Sequence, residues 1–137
     1  MEYYFSKTIQ SRFNEAINRV TAALKTEGFG VITEIDISRI MTEKLSVPFR
    51  NYRILGACNP AYAYKALQAE NKIGTMLPCN VIVQELDPDL VEIAAIDPQA
   101  SMQAIENPEL VDILTEIHHK LERVVNACDQ TILVKKN

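Results

Sequence analysis

The sequence predicts an α+β fold, a strand–helix–four strands–helix core in which one antiparallel sheet is covered by helices. Three observations carry this prediction. Short β-branched and aromatic runs follow one another closely after an opening strand and helix. Asp87-Pro88-Asp89 joins two of these runs as a hairpin. Two longer segments repeat apolar residues at i, i+3, i+4 spacing, the signature of helices that bury one stripe.

The elements follow in order. Tyr3 to Thr8 reads as a first strand, and Ser11 as the N-cap of a helix whose stripe is Phe13, Ala16, Ile17, Val20, Ala23 and Leu24. Gly28 supplies its stop. Phe29 to Ile35 is a second strand, with Phe29, Val31, Thr33 and Ile35 on one face and Gly30, Ile32 and Glu34 on the other. Asp36 or Ser38 caps a short helix with Ile37, Ile40, Met41 and Leu45 as its apolar side, closed by Val47-Pro48-Phe49. A third strand runs from Tyr52 to Cys58. Asn59-Pro60 then starts an alanine-rich helix, with Asn as cap and Pro where a missing N–H costs nothing.

The hairpin strands are Cys79 to Leu86 and Leu90 to Ile96. Pairing about Pro88 sets Val81 against Ala95, Val83 against Ile93 and Cys79 opposite Asp97. Asp97-Pro98 opens a short helix through Ile105. Asn107-Pro108 opens a long one to about Cys128, with Leu110, Ile113, Leu114, Ile117, Leu121, Val124 and Cys128 as its stripe. The tail, residues 131–137, either extends this helix or docks on a partner. The expectation is one domain over 1–137, with its core at about 3–128.

Composition narrows the function. The 137 residues carry a net charge of −4 and scattered basic residues, which points away from nucleic acid and anionic membranes. No long apolar run spans a bilayer, and the start has no secretory pattern. Three cysteines, an odd number, fit reduced thiols in a cytoplasm. There is no phosphate-cradling glycine loop, nucleophile elbow or Cys-x-x-Cys pair.

Two stretches echo one another, Gly56-Ala57-Cys58-Asn59-Pro60 and Leu77-Pro78-Cys79-Asn80-Val81. If strands two to five form a meander, Cys58, Cys79 and Asp97 gather at one edge of the sheet, with Gly30 nearby. Helices starting at Pro60 and Pro98 begin at the same edge, and a helix N-terminus lowers a nearby thiol's pKa. Each residue also has a structural role open to it, the cysteines as small buried hydrophobes and Asn59 and Asp97 as caps. Cys128 sits in an apolar stripe. A metal site is not expected, because only two cysteines and Asp97 converge and the adjacent His118 and His119 diverge by about 100° on an exposed helix side.

Arg53-Ile-Leu-Gly-Ala-Cys-Asn-Pro60, Ala66-Leu67, Leu77-Pro-Cys-Asn-Val81 and Ala95-Ile-Asp-Pro98 resemble the bacterial and archaeal family known as domain of unknown function 302. Tyr4-Phe-Ser-Lys-Thr8 and Glu27-Gly-Phe-Gly-Val-Ile-Thr-Glu-Ile-Asp36 follow its pattern too. The resemblance covers nearly the whole chain. It implies a fold likened to that of the TATA-binding protein, an architectural likeness only, and a homodimer. It implies no activity.

Three readings follow. The first is a ligand- or partner-binding module with a polar pocket at the Cys58/Cys79/Asp97 edge, lined or supported by Arg53, Cys58, Asn59, Cys79, Asn80 and Asp97. The second is a thiol-dependent redox or catalytic protein using Cys58 and Cys79. The third is a structural dimeric scaffold. The sequence leaves open whether the chain is an enzyme, and it names no cofactor.

Overall fold

The computed structural model describes residues 2–129; the tail expected over 131–137 lies outside them. Its strands are β1 (Tyr4–Gln10), β2 (Gly30–Asp36), β3 (Tyr52–Cys58), β4 (Cys79–Asp87) and β5 (Leu90–Ile96). They form one antiparallel sheet in the order β1-β5-β4-β3-β2. The meander is therefore present, and β1 closes the side of β5. Val81 pairs with Ala95 and Val83 with Ile93, as expected; the turn itself pairs Asp87 with Leu90, and a bulge between Glu85 and Asp87 shifts the ladder by one residue into this register.

The helices are α1 (Phe13–Thr26), α2 (Ile37–Leu45), α3 (Pro60–Ala69), α4 (Pro98–Ser101) and α5 (Val111–Ala127). α1 and α5 pack on the face carrying Leu55, Val81, Val83, Val91 and Ile93, all fully buried together with Val20, Leu24, Leu121 and Val124. Burying each such side chain contributes about 1.5–3 kcal/mol, so this layer dominates the fold's stability. A second, smaller cluster of Ala66, Ile73, Met102 and Leu110 sits under α3 and the start of α5.

Four local expectations are corrected. Ser11 does not cap α1: Arg12 holds the N-cap position without a side-chain bond, and the Ser11 hydroxyl donates to the Arg12 carbonyl at 2.8 Å. β2 does not alternate evenly, because its pairing with β3 shifts between Val31 and Thr33. Val31 lies opposite Ala57, but Thr33 and Ile35 lie opposite Gly56 and Ile54, so the bulge at Ile32 moves Glu34 and Asp36 to the face of Leu55 and Arg53. On α2 the apolar side is present, yet none of its residues is fully buried, and Leu45 is 65% exposed. The helix beginning at Asp97 is a single turn, and that beginning at Asn107 starts as a 3-10 turn over Pro108–Leu110 before α5.

Gly28 ends α1 as expected. Its φ of +87° is the left-handed conformation that glycine adopts without a Cβ penalty.

Candidate functional site

The strand ends carrying Cys58 and Cys79 do converge. Ala57 pairs with Cys79, and Gly30 pairs with Cys58, so β2, β3 and β4 bring both thiols to one end of the sheet. Beneath them lies a cavity of about 230 Å³, walled by Phe29, Cys58, Asn59 and Cys79 and closed by Tyr62 and Ala66 of α3. Ile73, Met102 and Ile117 complete it from the loop before β4, the end of α4 and α5.

This lining is overwhelmingly apolar, which corrects the expectation of a polar pocket. The physical reason is that the strand ends face α3 and α5 here, and those helices present alanines and their apolar stripe. A sequence search for converging polar groups passes over Phe29, Tyr62, Ala66, Ile73, Met102 and Ile117. Only Ile117 carried a signal, the stripe of the long helix, which reads as core wherever the helix lies; Phe29, Ile73 and Met102 fall outside the long helices.

The six sequence-selected residues separate. Cys58, Asn59 and Cys79 line the cavity. Asn80 is exposed and borders shallow depressions outside it. Arg53 lies five residues from Cys58 along β3, roughly 17 Å at strand rise, where it pairs with Glu34 and Asp36 and lies over the Phe13 ring. Asp97 is buried at 8% exposure and does not line the cavity. Its Oδ1 accepts from the Gln99 amide at 3.0 Å, the expected cap.

Asn59 departs from its expected job. Its side chain makes no cap on α3. Instead Nδ2 donates to the Glu27 carbonyl at 3.1 Å, tying the turn between α1 and β2 to the end of β3. The same group lies 3.1 Å from where a Cβ on Gly28 would stand, so that turn is sterically closed as well as left-handed.

The thiols are all free. Burial, and then the charge of Cys58, push Cys79 from its ordinary 9.0 up to about 11. A thiol held there is protonated at neutral pH and makes a poor nucleophile. Cys128 is fully buried in the helix-covered core, as its place in the stripe implied, and donates to the Val124 carbonyl at 3.3 Å.

His118 is not an exposed bystander. Its Nδ1 lies 2.8 Å from Asp97 Oδ1, and its ring stands edge-on to Phe5 with centroids 5.0 Å apart. Nor do the two adjacent histidines diverge freely: the His118 and His119 rings meet at 5.1 Å. Helical spacing alone sets Cβ directions. It does not show that Asp97, delivered by the end of β5, draws the His118 ring toward the sheet.

Among known proteins, the chain matches the family described as Domain of unknown function DUF302 over residues 5–128. It is similar to the crystal structure of an uncharacterized conserved protein DUF302 from Bacillus stearothermophilus, with a TM-score of 0.85 and 26% identity, covering 93% of this chain and 99% of that one. No curated protein matches it.

Proposed function

The chain belongs to the family of the domain of unknown function DUF302, and from that premise we propose that it is a binding module for a small, uncharged, largely apolar molecule. The cavity carries this reading. It lies where three strands, α3 and α5 meet, and its apolar walls are broken by few polar groups, the usual make-up of a small-molecule site. Apolar cavities of about 150 Å³ accept benzene, so one of about 230 Å³ suits a fused or substituted ring. Asn59 supplies a polar handle, because its Oδ1 accepts no hydrogen bond among the described residues while its amide is held by Glu27. The raised pKa of Cys79 disfavours that thiol as a nucleophile.

Indole is a suitable probe. Titration calorimetry should show one saturable site, and indole at a hundredfold over its Kd should stabilise the fold by about 2.7 kcal/mol. Ala63→Leu, at a half-buried position on the wall, should fill the space and abolish binding while the circular dichroism spectrum is kept. Equal indole affinity in that variant, or no saturable binding to the parent chain, would sink the reading.

For a macromolecular partner we assign a second copy of the chain, as the family resemblance implies, and place it on the sheet face opposite α1 and α5. There half-buried Ile54, Ile82 and Ala94 lie in adjacent register, beside a shallow groove bordered by Tyr4, Tyr52 and Gln84. An antiparallel sheet with a solvated face normally alternates to polar residues on that side. Molar mass by light scattering should be twice that of the monomer; a monomer at micromolar concentration would remove this assignment.

The remaining proposals are coarser. A single domain in the reducing cytoplasm fits three free thiols. Among the described residues no helix is long and apolar enough to cross a membrane. The net charge of −4 gives no support to nucleic acid as a partner.

A further inference from the structure

Outside the cavity, one group of side chains has the chemistry of a metal site. We propose that His118, His119 and Glu122 bind a divalent transition ion of the zinc class, with Asp97 orienting His118 from behind. Each of the three offers a ligand atom, and those atoms lie within 4.8 Å of one another. A tetrahedral ion with bonds of about 2.1 Å needs its ligands about 3.4 Å apart. His119 and Glu122 are exposed and free to close that difference.

The arrangement follows from helix geometry. Glu122 is four residues from His118 and three from His119, so one turn of α5 brings the carboxylate beside both rings. His119 Nδ1 already stands 4.0 Å from Glu122 Oε1. The contact with Asp97 then fixes the tautomer. A neutral His118 donates its Nδ1 proton to the buried carboxylate at 2.8 Å, leaving the Nε2 lone pair for an ion. Such a carboxylate–histidine pairing is the usual support behind a metal-bound imidazole. Asp97 is itself held by the Gln99 amide, and the His118 ring by Phe5, so this half of the site is rigid before any ion arrives.

Charge and ligand type agree. The cations on the same helix are engaged elsewhere: Arg123 donates to Glu27 at 3.0 Å and Lys120 lies 3.9 Å from it. Two imidazoles and one carboxylate suit Zn²⁺, Cu²⁺ or Ni²⁺ and disfavour Ca²⁺ and Mg²⁺, which take oxygen ligands. Three protein ligands leave a tetrahedral ion one position for water.

The test is calorimetric titration of Zn²⁺ alone into the chelator-stripped full chain, with Mg²⁺ as the contrast. One equivalent of Zn²⁺ should bind and Mg²⁺ should not compete. His119→Ala and Glu122→Gln, both at exposed positions, should each weaken Zn²⁺ at least about tenfold and leave the thermal midpoint without zinc unchanged. Asp97→Asn, which removes the orienting charge, should weaken it by about 10–100-fold. If Asp97→Asn fails to fold, the two exposed variants decide alone. Zinc bound as tightly by His119→Ala and Glu122→Gln as by the parent chain would overturn the proposal, because the ion would then sit on other ligands. Absence of saturable binding would overturn it too.

Discussion

The two Cys-Asn stretches share a dipeptide and one end of the sheet, yet the fold treats them oppositely. In the first, Cys58 is half-buried and Asn59 turns inward to hold the Glu27 carbonyl. In the second, Cys79 is buried at 5% exposure and Asn80 points to solvent. The register explains the difference. Ala57, not Cys58, pairs with Cys79, so the dipeptides are offset by one position, and a one-residue offset exchanges the two faces of a strand. The first dipeptide also lies where β3 leaves the sheet for α3, while the second begins β4. A repeated motif thus yields one structural tie and one solvent-facing amide rather than two copies of a site.

The largest test of this comparison falls at Gly56, just before the first dipeptide. A Cβ there would collide with Thr33 Oγ1 and stand 2.7 Å from Pro78 Cγ, so the residue preceding Cys79 packs directly onto β3. Gly56→Ala should cost about 3 kcal/mol in urea unfolding, the upper range for overpacking. Gly30→Ala meets nothing within 4 Å and should stay within about 0.5 kcal/mol. Equal losses at the two glycines would mean that the close approach of the two stretches is not what Gly56 provides.

A smaller effect should appear at alkaline pH. Cys79 titrates at an ordinary 9.0 when unfolded and at about 11 when folded, so between these values the folded chain binds the extra proton. Stability is therefore full below about pH 9 and falls as pH rises toward 11, by about 1.4 kcal/mol per pH unit for this group. Cys128, also pushed up to about 11 by burial, adds a parallel loss. Cys79→Ala should reduce the slope of stability against pH, measured by urea titration from pH 8 to 11. An unchanged slope would show that Cys79 is not held protonated.

The smallest effects separate the two asparagines. Asn59→Ala should cost about 1 kcal/mol for one lost hydrogen bond. Asn80→Ala should stay within about 0.5 kcal/mol, as for an exposed residue. Matching losses would mean that the bond to the Glu27 carbonyl is not what Asn59 contributes.

Much of the fold was legible. β3 and β5 fall at their expected bounds, and the Val81–Ala95 and Val83–Ile93 pairs form as expected, but the turn itself pairs Asp87 with Leu90 and a bulge between Glu85 and Asp87 supplies the one-residue shift that brings them together. The bulge at Ile32 was not legible: a strand's even alternation breaks only where its neighbour requires it, and nothing in Gly30 to Asp36 announces a shift. The candidate site divides similarly. The gathering of Cys58 and Cys79 followed from the meander. Arg53 was a wrong neighbour for them, since proximity along one strand placed it at the other end of the sheet, with Glu34 and Asp36.

By itself the sequence determined the elements, the meander and the end of the sheet where two thiols meet, because periodicity, proline and glycine act within a few residues of themselves. Only the tertiary structure decided that this end is apolar, that Asn59 bonds a turn 32 residues away, and that Asp97 takes hold of His118. Those outcomes depend on which helix lies over which strand end, and a polar side chain takes the partner that packing brings within about 3 Å. No local pattern records that choice.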